Sequence, residues 1–202
     1  TAHSIYLTSE NTLKKINNLA KKFDIFKRIH ISETEQEFRE SLFENEDTPV
    51  DFLDKIGWLD EKTILVHANW VTNKKILKIS KKKAKICHNP TSNMKLAYGK
   101  ILPLDKLVDH NITVSVATDG ATSNNNLDMF EELKLAALLN KFTSDNKLSD
   151  QKIFDMATID GAKTLGIENT AGSIEIGKRA DIITIELNKS HHYPINKNNS
   201  LI

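Results

Sequence analysis

Residues His88-Asn89-Pro90-Thr91-Ser92-Asn93-Met94-Lys95-Leu96 and Thr118-Asp119-Gly120-Ala121-Thr122-Ser123-Asn124-Asn125-Asn126 decide the reading of the fold. The first follows the short run Ala84-Lys85-Ile86-Cys87 and the second follows Ile112 to Ala117, so each reads as a loop at the C-terminal end of a strand. His30-Ile31-Ser32-Glu33 and His67-Ala68-Asn69-Trp70 repeat the arrangement upstream. His, Glu and Asp therefore fall at four consecutive strand ends. In a (β/α) barrel that is the end where chemistry is assembled, and the pattern points to a metal-dependent hydrolase.

The rest of the chain alternates in the way such units require. Ser9 is placed to cap a helix through about Lys22, and Ile25 to Ile31 reads as a strand. Glu35 to Glu44 and Thr48 to Ile56 read as short helices, the second stopped by Gly57. Ile64-Leu65-Val66 is a compact buried strand, followed by an amphipathic helix over Thr72 to Lys82. After the strand Ala84 to His88 come a helix over Pro103 to His110 and a fourth strand over Ile112 to Ala117. Asp128 caps a helix over Met129 to Phe142, and Ser149 to Met156 and Asp160 to Leu165 add two more. Four strands separated by helices argue for parallel β/α units. From Gly172 to Ile185 the character changes to a strand, a turn at Gly177 and a second strand.

Composition bounds the function without fixing it. The 202 residues are 39% hydrophobic and 27% charged, an ordinary soluble balance. A formal net charge of +1 gives no electrostatic case for nucleic acid or an anionic membrane as partner. The single cysteine, Cys87, excludes an internal disulfide, reads as a small buried hydrophobe and fits a reducing cytoplasm. No apolar run approaches the length of a membrane span and no secretory signal is visible.

The motifs resemble the amidohydrolase superfamily, and within it the S-adenosylhomocysteine/5'-methylthioadenosine deaminase branch, from His3 to about Pro194. The resemblance implies an α/β fold: the second half of a (β/α)8 TIM-type barrel over residues 1–170, strands five to eight. Residues 171–202 are then a β segment of a small flanking sandwich, with Ile176 where the family usually has Pro. The family's domain opens on a strand carrying His-x-His, and this sequence has none. The chain therefore reads as the C-terminal half of a longer protein, with the N-terminal half as its first partner.

By that resemblance His30 and Asp119 ligate one divalent metal, zinc first and iron, manganese or nickel as alternatives, together with an upstream His-x-His. Glu33 contacts the purine and moves protons, His67 steadies the developing oxyanion, Asp119 takes the proton from water, and His3 contacts the nucleoside. The implied reaction is hydrolytic deamination of an adenosine-type nucleoside: S-adenosylhomocysteine, 5'-methylthioadenosine, 5'-deoxyadenosine or adenosine. A guanine, cytosine or triazine hydrolase on the same scaffold, or an inactive half-barrel, are the competing readings; homo-oligomerisation is left open.

The residues alone leave alternatives in place. A histidine at a strand end is often a satisfied polar residue, and Asp119-Gly120 is also a turn dipeptide. The His88-Asn89-Pro90 loop is assigned to pocket shape, with Ser92 or Asn93 bonding to the loop's own backbone. His110 reads as a helix end, and His191 and His192 as surface loop.

Overall fold

The computed structural model describes residues 1–186 and 189. In chain order the elements are α1 (Glu10–Lys22), β1 (Lys27–Ile31), α2 (Glu35–Asn45), α3 (Pro49–Lys55), β2 (Thr63–His67), α4 (Asn73–Lys81) and β3 (Lys85–His88). They continue with α5 (Pro90–Lys95), α6 (Leu104–Asp109), β4 (Val114–Val116), α7 (Ala121–Asn124), α8 (Met129–Thr143), α9 (Asp150–Ala157) and α10 (Ile159–Leu165). The strands form one parallel sheet in the order β1-β2-β3-β4, each paired with its sequence neighbour. Sequential order without a reversal is barrel topology; a doubly wound sheet would switch direction. This is an α/β half-barrel.

Side-chain alternation separates the two faces of the sheet. Ile29, Ile31, Leu65 and Ile86 are fully buried toward the helices, where they meet Leu13, Leu53, Ile76, Ile79, Leu107 and Ala136. The other face carries Arg28, His30, Ile64, Val66, Cys87 and Ser115, which line an open cleft of about 1370 Å³. Beside β1 the chain start continues the sheet: Ser4 bridges His30 in parallel and the His30 N–H donates to His3 O at 2.8 Å.

The helix starts follow their capping chemistry. Ser9, Thr34, Thr48, Asp128 and Ser149 each accept a backbone N–H of the first turn. Gly57 and Gly166 end helical segments with φ of +72° and +70°, the left-handed conformation that glycine adopts without strain.

Two expectations require correction. The loops after β3 and β4 each fold into a short helix, α5 and α7; α5 starts on Pro90, whose fixed φ suits a first helical position, and α7 follows Gly120. The tail holds no strand over 171–186. Its turn does form, with Gly177 at φ +94° and the Lys178 N–H on Glu175 O. A strand exists only through a ladder of hydrogen bonds to a neighbour, and although the Arg179 N–H donates to Thr170 O at 2.9 Å, no ladder forms among the described residues; Ile174, Ile176 and Ile183 stay exposed. The rest of the expected sandwich segment, with His191 and His192, lies outside the described residues.

Candidate functional site

The C-terminal ends of the strands bring His30, His67 and Asp119 together, with one ligand atom from each lying within 4.8 Å of the others. Three separate β/α units supply them: His30 is the penultimate residue of β1, His67 the last of β2, and Asp119 stands three residues beyond β4. The backbone at this rim is held in unusual conformations. Ser32, His67, Ala68 and Asp119 all have positive φ, of 48°, 69°, 55° and 59°. Non-glycine residues in this region cost free energy and persist where the surroundings over-determine them, which is common at functional sites.

Hydrogen bonds fix which atoms face the centre. His30 Nδ1 lies 2.8 Å from His3 O. A carbonyl only accepts, so Nδ1 carries the proton and Nε2 keeps its lone pair for a cation. The His3 ring stacks on His30 at 4.5 Å between centroids, and His30 lies 5.4 Å from the His67 ring. Asp119 Oδ2 accepts from Ser92 Oγ at 2.6 Å and from Ser123 Oγ at 2.8 Å. Burial opposes the Asp119 charge, but the two serines and the Gly120 N–H outweigh it and hold the carboxyl below its usual pKa. It is thus an ionised oxygen donor with its second oxygen free of these serine bonds. Two imidazoles and a carboxylate, each oriented by an outer hydrogen bond, fit a zinc-type divalent ion.

Glu33 stands beside this cluster. Its Oε1 is 3.3 Å from His67 Nε2, and the Tyr98 hydroxyl hydrogen-bonds to its carboxylate. Burial lowers the His67 pKa, and the opposing pull of Glu33, Asn93 and Asp119 does not restore it. The contact is therefore a neutral imidazole facing a carboxyl group rather than a fixed ion pair. The loop carrying Glu33 is anchored by buried Glu37, whose carboxylate accepts the Ser32 N–H at 2.9 Å and the Glu33 N–H at 2.7 Å.

The structure thus gathers His3, His30, Glu33, His67 and Asp119 at one rim. Reading the sequence misplaced the partners of Ser92 and Asn93. Neither side chain serves its own loop backbone: Ser92 donates to Asp119, and Asn93 Oδ1 meets His67 Nδ1 at 2.8 Å. Helix α5 explains this, because it satisfies its backbone internally and turns both side chains toward neighbouring strand ends. Tyr98, Glu37 and Glu132 were also missed. Glu132, fully buried on α8, accepts from Thr91 N at 3.2 Å and Asn124 Nδ2 at 2.6 Å, tying α5 to α7. A glutamate on the buried face of a helix is the signal that sequence offers for such a tie.

His88 is buried and lowered to about 3 by desolvation, and it lines a separate cavity of about 310 Å³ with Tyr98, Leu102 and Leu139. Burial pushes the half-buried Cys87 thiol up to about 11, which keeps it in the thiol form at neutral pH. His110 closes α6, with its Nδ1 2.8 Å from Lys106 O. Among the described residues no helix is long and apolar enough to cross a membrane.

Comparison with known proteins gives this geometry its context. The chain is 45% identical over 195 residues to a 5'-deoxyadenosine deaminase of Methanosphaera stadtmanae, covering 96% of this chain and 45% of that protein. It is 41% identical over 196 residues to a 5-methylthioadenosine/S-adenosylhomocysteine deaminase of Caldanaerobacter subterraneus subsp. tengcongensis, covering 96% and 45%. The chain therefore spans just under half the length of the curated relatives it matches. Among solved structures, an adenosine deaminase from Xanthomonas campestris with bound zinc superposes with a TM-score of 0.91 at 32% identity, over 96% of this chain and 44% of that one. A zinc complex of the atrazine chlorohydrolase TrzN from Arthrobacter aurescens TC1, at 24% identity and a TM-score of 0.90 over 98% and 44%, shares the fold. The amidohydrolase family matches residues 1–201, and the chain belongs to that family.

Proposed function

We propose that the full polypeptide is a metal-dependent deaminase of adenosine-type nucleosides, releasing ammonia and the inosyl product. The observation that carries this reading is the convergence of His30, His67 and Asp119 within 4.8 Å, with the Glu33 carboxyl 3.3 Å from His67, in a chain whose relatives are named as deaminases of such nucleosides. His30 Nε2 and the Asp119 carboxylate would hold a divalent ion, zinc first, with a His-x-His from elsewhere in the polypeptide completing the set. When bound, that ion supplies Lewis-acid activation of water at neutral pH.

The chain's own residues do the rest. Asp119, kept ionised by Ser92 and Ser123, accepts the proton of the attacking water and passes it to the departing amine. Glu33 is placed to donate a proton to the ring nitrogen beside the amidine carbon, which makes that carbon electrophilic. His67, desolvated by burial, turns Nε2 toward the site, where it orients the attacking water by accepting a hydrogen bond from it. His3 stacks on His30 and offers its ring to the nucleoside.

The test is ammonia release by the intact, zinc-supplemented protein from 5'-deoxyadenosine, 5'-methylthioadenosine, S-adenosylhomocysteine and adenosine, against guanine, cytosine and a chlorotriazine. Turnover confined to the nucleosides supports the reading; turnover of only the second group overturns it.

A further inference from the structure

We infer that Asn69 and Asn93 are positioning residues that lock His67 in its Nδ1–H tautomer, so that only the Nε2 lone pair faces Glu33 and the site centre. The orientation follows by propagation from one unambiguous acceptor. Asn69 Nδ2 lies 3.3 Å from the backbone oxygen of Glu33, which can only accept. The amide of Asn69 is thereby oriented, and its Oδ1 accepts from Asn93 Nδ2 at 3.0 Å. Asn93 must then present Oδ1 to His67 Nδ1 at 2.8 Å, which makes that ring nitrogen the donor. All three side chains are buried, with Asn69 and His67 at 1% exposure and Asn93 at 7%. Water has little access to substitute for a missing partner, and neither amide can flip without breaking two bonds.

The ring of contacts closes on itself, from Glu33 O through Asn69, Asn93 and His67 back to Glu33 Oε1. The loop that holds Glu33 and the nitrogen that faces its carboxyl are therefore set by the same two amides. With Nδ1 committed, His67 turns the Nε2 lone pair toward Glu33 Oε1, 3.3 Å away. The other tautomer would place an N–H toward the site and leave Asn93 Oδ1 without a donor. As a consequence for turnover this inference rests on the deaminase reading above, but the tautomer itself does not.

The test is a long-range 1H–15N correlation spectrum of the intact protein, with the His67 signals assigned by their loss in His67→Gln. The expected wild-type pattern is a protonated Nδ1 and an unprotonated Nε2. Asn93→Leu should give a mixture of tautomers, and Asn93→Asp, which keeps an acceptor for Nδ1, should restore the single form. In the assay Asn93→Leu should lower kcat about 10- to 100-fold with KM little changed, and Asn93→Asp should recover part of the loss. A wild-type spectrum with the proton on Nε2 overturns the inference even if Asn93→Leu fails to fold. So does a folded Asn93→Leu that keeps the single Nδ1–H form. Failure of every nucleoside assay with the Nδ1–H spectrum intact would count against the deaminase reading alone.

Discussion

Ser92 Oγ donates to Asp119 Oδ2 at 2.6 Å, and this bond joins the loop after β3 to the loop after β4 at the point where a cation would be held. Ser123 Oγ reaches the same oxygen at 2.8 Å, so the carboxylate is oriented from both sides. One carboxylate oxygen lies within 4.8 Å of a ring nitrogen of His30 and of His67. Removing the Ser92 hydroxyl leaves the ligand set intact but loosens one member of it and takes away a donor that favours its ionised form. Ser92→Ala should therefore weaken zinc binding about 10- to 100-fold, measured by competition with a chromophoric chelator. Unchanged affinity would show that Ser123 alone orients Asp119.

Glu33 should separate proton transfer from metal binding. It touches His67 and Tyr98 but is neither of the two residues, His30 and Asp119, proposed to hold the ion. Glu33→Gln preserves shape and removes the acid, so turnover should fall about 10²- to 10⁴-fold while zinc content, read by elemental analysis, stays at the wild-type level. A variant with near wild-type turnover would remove Glu33 from the proton pathway.

The scaffold of this site was legible because its signals are local. Short apolar runs marked all four strands, and His30, His67 and Asp119 stood at strand ends, while their site roles came from the family resemblance rather than from position. The contacts that orient them were not legible, because they join residues far apart in sequence: Ser92 to Asp119 across 27 positions, His67 to Asn93 across 26 and Asn69 to Glu33 across 36. Local reading assigns Ser and Asn after a Pro to turn chemistry, since that is where their side chains bond when nothing distant competes. Tertiary partners won here. The tail shows the opposite failure: a strand-like pattern over 172–185 forms no strand, because a strand needs a neighbour and pattern alone cannot supply one.

The anchor of the Glu33 loop carries a pH signature. Burial raises the Glu37 pKa from 4.5 to about 7, against the opposing backbone N–H bonds of Glu33, Ser32 and Thr34. The folded value lies above the unfolded one, so the folded state holds the extra proton between them. This contribution to stability is complete below pH 4.5 and is lost as pH rises through about 7, amounting to about 3 kcal/mol. Urea midpoints should fall over that interval in the wild type. Glu37→Gln should flatten the profile, while costing about 1–3 kcal/mol for the backbone N–H left without an acceptor. An equal slope in the variant would assign the dependence to another group.

Gly166 tests the packing that holds the last helix on the sheet. It closes α10 with φ +70°, and a Cβ built there would lie 2.5 Å and 2.7 Å from two ring atoms of Phe26, just before β1. Those distances are shorter than real carbon contacts, and the ring is hemmed in by Lys62 and Lys85, whose ammonium groups lie 5.8 Å and 4.7 Å from its centroid. Gly166→Ala therefore combines left-handed strain of about 1–2 kcal/mol with overpacking of about 1–3 kcal/mol. The sum should lower the thermal midpoint by several degrees while leaving the metal cluster, at the opposite end of the strands from Phe26, with its zinc affinity unchanged. A neutral Gly166→Ala would mean that Phe26 moves freely and that the end of α10 is not packed against the segment before β1 as the contact implies. Restoring stability with Phe26→Leu in the Gly166→Ala background would identify the ring as the source of the clash.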